Sequence, residues 1–509
     1  MKRNILFTLI CGFGLMMTSC TDFLTEKPKS FLSPDNYFNT EKQMEAAMNG
    51  LYSHLSGIFN SEVEVNSSYY NFIEYMGGYT VRPRSATTQT FMQARTLTVK
   101  EDNNAALGIW QYNYIAIENC NSVIAGIEAA AEGVASDEVK NRFLGEAYAL
   151  RAYYYFNLVR LFGPIPYKTV PTTELESAQM PLTSIEDVYA GIEDDLLTAD
   201  ELMAGSPWQP GNGHIGRAGI KALLAKVQLT MAGYPLNKGS EYYNKAYATA
   251  KSLYDAGGAS LFASYADLRN QANENSGEFL LSIQREADKA GSPMHNAILP
   301  YPRTNPEISA NADFGGGIAS CLSFYNSYAE NDSRRNNQEF FFWDVKSKDG
   351  KSDVALDVSE HMYVYKFWNS DTVSSGKDGM DHALLRYADV LLILAEAKAM
   401  ADGGTTSDAT AVDAYWKVRS RAVGTTESKP ASISFETVYK ERMWELCFEN
   451  QALYDLLRTR KAFDTDRGQI VDLIGFHSPG HDEGVKWAED DLLLPYPIRE
   501  KRLNPNLVR

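Results

Sequence analysis

Three glutamates at helical spacing offer the most direct catalytic chemistry in this sequence. Glu441, Glu445 and Glu449 follow one another at intervals of four residues, which places their carboxyl groups on one face of a helix. A pair of carboxyl groups is what the hydrolysis of a glycosidic bond requires. Carboxylates stacked on one helix more often face arginine partners, and we expect a structural ion network here. The candidate partners are Arg386, Arg419 and Arg421.

A glycine-rich stretch matches a nucleotide-binding pattern but lacks its context. Gly211-Asn-Gly-His-Ile-Gly216 has the form G-x-G-x-x-G and precedes a predicted helix. A dinucleotide site also needs a strand immediately before the glycines, and Pro207 and Pro210 occupy that place. We therefore predict a loop that leads into the next helix, and we assign no cofactor.

Two histidines near the carboxyl end have the spacing of metal ligands. His477 and His481 are four residues apart, and an acidic pair follows them directly. Pro479-Gly480 lies between them, so they cannot share a helical face. A surface loop is the prediction, and a cation site is the alternative.

Two irregular stretches carry side chains suited to carbohydrate. A sugar ring stacks its apolar face on an exposed aromatic ring, and its hydroxyl groups bond to Asn, Asp, Gln or Arg. Such sites belong on loops that a rigid scaffold holds in place, although each single aromatic has packing as its alternative role. The candidates are Tyr79, Arg82, Arg84 and Phe91 in the first stretch, residues 75–91, and Asn296, Tyr301, Arg303, Asn305, Phe314 and Trp343 in the second, residues 294–343.

The amino terminus reads as a secretion signal that ends at a cysteine. Lys2 and Arg3 precede an apolar run over residues 5–17, which is too short to span a bilayer. Thr18-Ser19-Cys20 then resembles a bacterial lipobox. We expect residues 1–19 to be removed and Cys20 to carry lipid, which would be the membrane anchor. The alternative is an ordinary secreted protein with an incidental cysteine.

Composition limits the classes of partner and the redox chemistry. The formal net charge of −17 over 509 residues argues against nucleic acid and against adsorption to an anionic membrane. A chain of this length is expected to form one large domain or two interleaved ones. Cys120, Cys321 and Cys447 are widely scattered, so we predict small buried side chains and leave one disulfide open.

Helical periodicity accounts for most of the elements that must position these groups. The clearest helix spans residues 137–162, where apolar residues recur at spacings of three and four on two faces, and Gly163-Pro164 ends it. Trp110, Trp416 and Trp444 fall on predicted helices and are expected in the core. The other predicted helices are 41–59, 103–131, 184–203, 217–233, 240–256, 384–400, 409–421 and 435–463.

Small residues and irregular spans complete the pattern. Alanines on facing sides of helices 217–233 and 240–256 predict an antiparallel pair of tetratricopeptide type, although the repeat signature is missing. Residues 260–381 break the helical pattern, and only 278–285 and 361–368 alternate like strands. Residues 62–100 are also irregular, and long irregular spans in a compact protein are usually functional.

Several ordered blocks carry a resemblance to a known family. The chain resembles the SusD-like (RagB/SusD) nutrient-binding outer-membrane lipoproteins over essentially its whole mature length. Asn450 departs from the family pattern, in which Gly is common at that place. The blocks are Cys20-Thr-Asp-Phe-Leu-Thr-Glu-Lys-Pro28, residues 146–166, Gly216-Arg217, residues 385–397, Val418-Arg-Ser-Arg-Ala422, residues 441–449 with Asp455-Leu-Leu-Arg458, and Leu494-Pro-Tyr-Pro497 with Glu500 and Asn504-Pro-Asn-Leu507.

The resemblance implies a mainly α fold, with a tetratricopeptide-like helical-repeat body, a loop-rich part and a few short strands. Residues 20–36 would be a lipid-anchored tether and residues 37–509 one SusD-like domain. Within that domain the scaffold would be mainly 41–59 and 103–256. The ligand-facing part would be 260–381, and the carboxyl-terminal helices and tail would be 384–509.

The resemblance also implies a task without catalysis or cofactor. The protein would capture an oligosaccharide at the cell surface as the lid of a SusC-like TonB-dependent outer-membrane barrel. A peptide ligand, a surface glycosidase and a helical-repeat scaffold without a small ligand stay open as alternatives.

Overall fold

The structure is a computed structural model that describes residues 37–60, 69–83, 88–174, 179–300, 307–308, 316–375 and 377–508. Cys20 and the predicted tether 20–36 lie outside the described residues. So do five of the candidate ligand-binding residues, which are Arg84, Tyr301, Arg303, Asn305 and Phe314.

Helices dominate the described chain, and short strands are confined mostly to the middle of the sequence. The helices are α1 (Glu41–Asn60), α2 (Tyr69–Gly77), α3 (Gln89–Arg95), α4 (Asn104–Glu128), α5 (Asp137–Phe162), α6 (Ile185–Leu202), α7 (Arg217–Ala232), α8 (Ser240–Ala256), α9 (Met294–Ile298), α10 (Leu322–Asn326), α11 (Ser370–Ser375), α12 (Tyr387–Ala401), α13 (Ala409–Val423), α14 (Phe435–Glu445), α15 (Ala452–Thr459) and α16 (Ile498–Leu503). The strands are β1 (Thr80–Val81), β2 (Phe279–Ile283), β3 (Ala319–Cys321), β4 (Phe341–Phe342), β5 (Asp344–Lys346), β6 (Asp353–Ala355), β7 (His361–Val364), β8 (His382–Arg386), β9 (Thr405–Thr406), β10 (Ile433–Ser434), β11 (Lys461–Asp464) and β12 (Gln469–Asp472).

Helix α5 has the bounds that its sequence pattern predicts. The Ser136 hydroxyl accepts a hydrogen bond from the Val139 amide at 3.3 Å and caps the helix, while Asp137 in the first turn suits the helix dipole. Gly163 ends the helix at a φ of 71°, a conformation that favours glycine. The helix is buried on nearly all sides because α4 and α6 both pack against it.

The predicted pairing of small-residue helices is confirmed. Helices α7 and α8 pack together across a short connection, which makes them antiparallel neighbours. Ala218, Ala222 and Ala225 on α7, with Ala246 and Ala250 on α8, are all buried. Helix α8 then packs on α12, and α12 packs on α13, so paired helices continue into the carboxyl-terminal half. The mainly α, tetratricopeptide-like prediction is therefore confirmed.

The prediction of one helix over residues 435–463 is wrong. The structure has α14, α15 and the strand β11 in this stretch. Phe448 and Asn450 take φ values of 63° and 54°, and Arg460 takes 55°. An α-helix cannot continue through residues in this left-handed region, so each of these positions changes the chain direction.

The irregular spans of the chain contribute the strands of a small antiparallel sheet. Strands β1, β3, β7 and β4 form a sheet in that order, with antiparallel neighbours. The predicted alternating stretches are confirmed in part, because β2 lies within 278–285 and β7 lies within 361–368.

The described core is continuous and includes the predicted thiols. Trp110 is buried, whereas Trp416 and Trp444 are half-buried at the edge of the core. Cys120 in α4, Cys321 in β3 and Cys447 after α14 are buried free thiols, so no disulfide joins them. Among the described residues, no helix combines the length and the hydropathy that crossing a membrane would require.

Candidate functional site

The two stretches chosen for carbohydrate chemistry meet in space. Strand β1 pairs with β3, so that Val81 lies opposite Ala319 and Thr80 opposite Ser320. The Ile318 amide donates to the Ala297 carbonyl at 2.8 Å, which ties the end of α9 to the start of β3. Chain segments more than 200 residues apart thus share one rim of the sheet. We call this rim, formed by Arg82, Phe91, Asn296 and Gly316–Ile318, the loop-bearing edge.

Glycine is required where two backbones approach at this edge. The Gly316 amide donates to the Leu299 carbonyl at 2.8 Å. A Cβ atom on the next residue, Gly317, would lie only 2.7 Å from the Ala297 carbonyl oxygen. Such a contact is closer than van der Waals packing allows, so any other side chain would push α9 away from β3.

A tyrosine on α2 anchors the same backbone segment. The Tyr75 hydroxyl donates to the Gly317 carbonyl, and its ring meets Phe91 edge-on at 5.5 Å. Burial raises the pKa of Tyr75, and the nearby Arg82 and Arg95 offset only part of this rise. The hydroxyl therefore keeps its proton and remains a donor. Sequence reasoning did not select Tyr75, although its place among the closely spaced Tyr69, Tyr70 and Tyr79 could have drawn attention to it.

The candidates of the first stretch fall into two kinds. Tyr79 and Phe91 are buried, and the Tyr79 hydroxyl both donates to the Phe463 carbonyl at 3.0 Å and accepts from the Phe463 amide at 2.9 Å. Their burial contradicts the expectation of exposed rings that stack on a sugar. Arg82 is half-buried, and its guanidinium lies over the Phe91 ring at 5.5 Å. Phe91 therefore supports Arg82 from below.

The candidates of the second stretch are separated. Asn296 lies half-buried on α9 at the loop-bearing edge. Trp343 directly follows β4, which is the opposite outer strand of the sheet from β1. Three strand spacings of about 4.8 Å put some 14 Å between these outer strands. The structure thus unites Arg82 and Asn296 and leaves Trp343 on the far side.

The loop with His477 and His481 packs against the end of α2, where the Gly480 amide donates to the Gly78 carbonyl at 2.8 Å. The prediction of a surface loop holds for His477, but His481 is buried and its Nε2 lies 3.2 Å from the Met76 carbonyl. Burial lowers the pKa of His481 to about 4, so the ring is neutral at physiological pH and its Nε2–H donates. In the described part of the chain, no group of three or more His, Cys, Asp or Glu side chains is arranged to hold a metal ion.

The glycine-rich motif is the loop that the sequence predicts. Residues 211–216 have no strand before them, and Gly216 forms the N-cap of α7. His214 from this loop places its Nδ1 at 2.7 Å from the Glu146 carboxylate, which also accepts from the Tyr52 hydroxyl at 2.8 Å. Hydrogen bonds thus connect the loop that contains this motif to α5 and α1.

The three glutamates are occupied by arginines, as predicted. The charge network includes Arg334, Arg386, Arg419, Arg421, Lys366, Glu278, Asp332, Glu441, Glu445 and Glu449. Glu445 lies 2.7 Å from Arg421, 3.1 Å from Arg334 and 3.2 Å from Arg386. Sequence reasoning missed Arg334, which lies more than 100 residues from the helix it joins.

The electrostatics of this network do not suit a general acid. Burial raises the pKa of Glu445, but the guanidinium groups of Arg421, Arg386 and Arg334 outweigh it and hold that pKa at about 2. Burial also raises the pKa of Glu449, but the charges of Arg386 and Lys366 outweigh it and leave that pKa below its ordinary value. A glycosidase acid needs a raised pKa, so these carboxylates are built for ion pairing.

Two family models match this chain. A model described as SusD family matches residues 284–509, and a second, described as starch-binding associating with outer membrane, matches residues 22–229.

The chain belongs to the SusD family.

Relatives of this SusD family chain extend over most of its length. It is 26% identical over 484 residues to a SusD-like protein of Bacteroides ovatus, which covers 90% of this chain and 82% of that protein. A crystal structure of a SusD superfamily protein from Parabacteroides distasonis superposes with a TM-score of 0.82 at 28% identity, over 92% of this chain and 98% of the other.

A more distant neighbour shares the fold alone. Surface glycan-binding protein A from Bacteroides thetaiotaomicron, in complex with laminarihexaose, has a TM-score of 0.73 at 18% identity. The superposition covers 92% of this SusD family chain and 99% of the other chain.

Proposed function

We propose that this protein captures an oligosaccharide at the loop-bearing edge and passes it to a SusC-like TonB-dependent outer-membrane barrel. Lipid on Cys20 would hold it to the outer membrane, with the body facing the cell exterior and residues 20–36 as the tether. The convergence of the two loop stretches on the β1–β3 pair is the observation that carries the proposal. Membership of the SusD family and the glycan complex of a structural neighbour support the class of ligand.

The edge offers the chemistry that a sugar rim needs. Arg82 carries a guanidinium group and Asn296 carries a side-chain amide, and both are group types that bond to sugar hydroxyls. The Phe91 ring beneath the guanidinium limits the rotamers of Arg82, which reduces the entropy lost when a ligand binds. Further candidates are joined to this edge by the chain, and we propose that Arg84, Tyr301, Arg303, Asn305 and Phe314 complete the site. For Trp343, a contact with the ligand farther along the sheet stays a prediction.

Binding of oligosaccharides to purified protein tests the proposal. Isothermal titration with laminarihexaose, maltohexaose and a xylogluco-oligosaccharide is expected to find at least one ligand. Arg82→Ala should weaken that binding about tenfold, because a charge-assisted hydrogen bond contributes about 1.5 kcal/mol or more. Arg142→Ala is the matched control, since Arg142 also lies over a phenylalanine ring, at 4.5 Å, but on α5.

Other results would point to the alternatives. Affinity for a peptide pool but for no glycan would move the ligand class to peptides. Product release from a bound glycan would favour the glycosidase. Absence of binding to any glycan or peptide, with no barrel co-purifying from outer membranes, would contradict the proposal. Cys20→Ala should abolish membrane retention and leave titrations in solution unchanged.

A further inference from the structure

A second cavity lies in the helical body, with none of the loop-bearing edge among its lining residues. It has a volume of about 370 Å³, within the range of sites that hold small ligands. Its walls come from α5, α6, α7 and α15 and from the turn at residues 489–493. We call it the Tyr234 cleft. The lining side chains used below are Arg160, Tyr234, Arg458, Arg460, Glu489 and Asp490.

Tyr234 is an exposed aromatic side chain at the rim of this cleft. It is the most solvent-exposed of the described aromatic side chains, at 43%. Its amide donates to the Arg458 carbonyl at 2.8 Å, which fixes the backbone. A Cβ atom on Gly233 would lie 2.3 Å from the same carbonyl oxygen, so the approach depends on glycine. Residue Arg458 of α15 thus fixes the backbone that carries this partly exposed ring.

Arg460 differs from the other arginines of the cleft. Arg458 lies 2.8 Å from Asp455 and is also paired with Glu396. Arg160 is held between the rings of Phe156 and Tyr454, at 3.8 and 3.6 Å. Arg460 instead lies 5.1 Å from the Tyr234 ring centroid, and its Nη1 is buried without a hydrogen-bond partner among the described residues.

A buried donor without a protein partner can bond to an acceptor that a ligand brings. Leaving such a group unsatisfied costs about 1–3 kcal/mol, more when it is charged, so the position favours a ligand that brings oxygen atoms. Burial lowers the pKa of Arg460, and the nearby Glu489 offsets part of that shift. The guanidinium therefore gains from any acceptor that enters the cleft.

The acidic rim decides which oxygen-rich ligand fits. Glu489 and Asp490 are exposed beside the cleft and would repel a uronate or a sulfated sugar. Carboxylates accept hydrogen bonds from hydroxyl groups, while the guanidinium donates to them. Isoleucine and leucine side chains line the remaining wall and suit the apolar face of a ring. This set of groups matches a neutral polyol.

We propose that the Tyr234 cleft is a second carbohydrate site, which takes one or two rings of a neutral oligosaccharide. Tyr234 stacks on a ring, Arg460 donates to hydroxyl oxygens and Glu489 accepts from hydroxyl groups. The inference rests on the proposed function, because it assumes that glycans reach this protein. Two sites on one body would bind a long glycan more tightly than either site alone.

Hydrogen exchange locates the two sites separately. Purified protein is incubated with laminarihexaose, maltohexaose or a xylogluco-oligosaccharide at millimolar concentration. Residues 230–236 and 456–462 are expected to become protected, besides residues around Arg82. Tyr234→Ala and Arg460→Gln should each remove protection at the cleft and lower affinity there about tenfold. Both should leave protection near Arg82 intact.

Matched variants separate the possible outcomes. Leu197→Ala removes an exposed side chain of α6 that does not line the cleft, and it should change nothing. Glycan protection near Arg82 with none at residues 230–236 would overturn the second site and leave the proposed function standing. Protection at the cleft that survives both Tyr234→Ala and Arg460→Gln would also overturn it. Absence of protection at either place, with every glycan, would overturn the proposed function and the cleft together.

Discussion

The charge network and the loop-bearing edge satisfy their buried polar groups in different ways. In the network, buried carboxylates and guanidinium groups neutralise one another, so that Glu445 alone meets three arginines. At the edge, backbone hydrogen bonds, a glycine and the neutral Tyr75 hydroxyl hold the chain. The network therefore fixes the scaffold by charge pairing. The edge is fixed by close backbone contact, and it carries the polar side chains of Arg82 and Asn296 at its rim.

Breaking the network should give the largest effect on stability. Glu445→Ala leaves buried guanidinium groups without their shared partner, and we expect the free energy of unfolding to fall by about 3–5 kcal/mol. Urea denaturation followed by circular dichroism measures the loss. Asp255→Ala, which removes the exposed ion pair with Lys251 on α8, should cost less than about 1 kcal/mol. Equal losses in the two variants would show that the buried network contributes no more to the free energy of unfolding than an exposed ion pair does.

The pH dependence of stability should differ in sign between the charge network and α2, the helix whose Tyr75 anchors the edge. Glu74 on α2 accepts from the Asn450 amide at 2.6 Å, and burial raises its pKa to about 7 despite this bond. The folded chain therefore keeps the Glu74 proton where the unfolded chain loses it near pH 4.5, so its stabilising contribution is complete below pH 4.5 and is lost as pH rises toward 7. Glu445, with its pKa near 2, contributes stability above pH 4.5 that is lost as pH falls toward 2.

Unfolding titrations at pH 5 and pH 7.5 test the Glu74 half of this contrast. Wild-type protein should lose about 2 kcal/mol more than Glu74→Gln between these two values, because a glutamine has no proton to release. Parallel pH profiles in the two proteins would show that Glu74 does not titrate in this range.

Crowding the edge should have the smallest effect on stability and a visible effect on binding. Gly317→Ala forces the new methyl group against the Ala297 carbonyl, and we expect a loss of about 1–3 kcal/mol together with weaker glycan binding. Gly50→Ala is the control, since a Cβ atom at that exposed position of α1 meets nothing within 4 Å. That variant should gain up to about 1 kcal/mol from helix propensity. Unchanged melting and binding in Gly317→Ala would refute the close-contact account.

Helix positions could be predicted from the sequence because their signals are local. Periodic apolar residues, the Ser136 cap and Gly163 gave α5 its bounds. The break after α14 could not be predicted in the same way, since Phe448 is a rare residue at positive φ and no glycine marks the place. The clue was Asn450, which stands where the family commonly has glycine and which tolerates the left-handed conformation.

The candidate site could be predicted only as two separate stretches. Their composition identified the regions, but the pairing of β1 with β3 depends on contacts across more than 200 residues. For the same reason the sequence could not tell that Tyr79 is bound to Phe463 from β11 and unavailable for stacking. Composition predicts which side chains are suited to a ligand, whereas burial decides which of them can reach it.

The three buried cysteines provide a built-in measure of local opening. Burial raises the pKa of the Cys447 thiol to about 11, and it raises those of Cys120 and Cys321 as well, so all three resist thiol reagents in the folded protein. Each becomes reactive only when its surroundings open. Cys321 lies in β3 and Cys120 lies in α4. Peptide mapping after alkylation therefore measures the rate of local opening of the sheet and of the helical body separately. An oligosaccharide bound at the sheet rim would slow the alkylation of Cys321 alone.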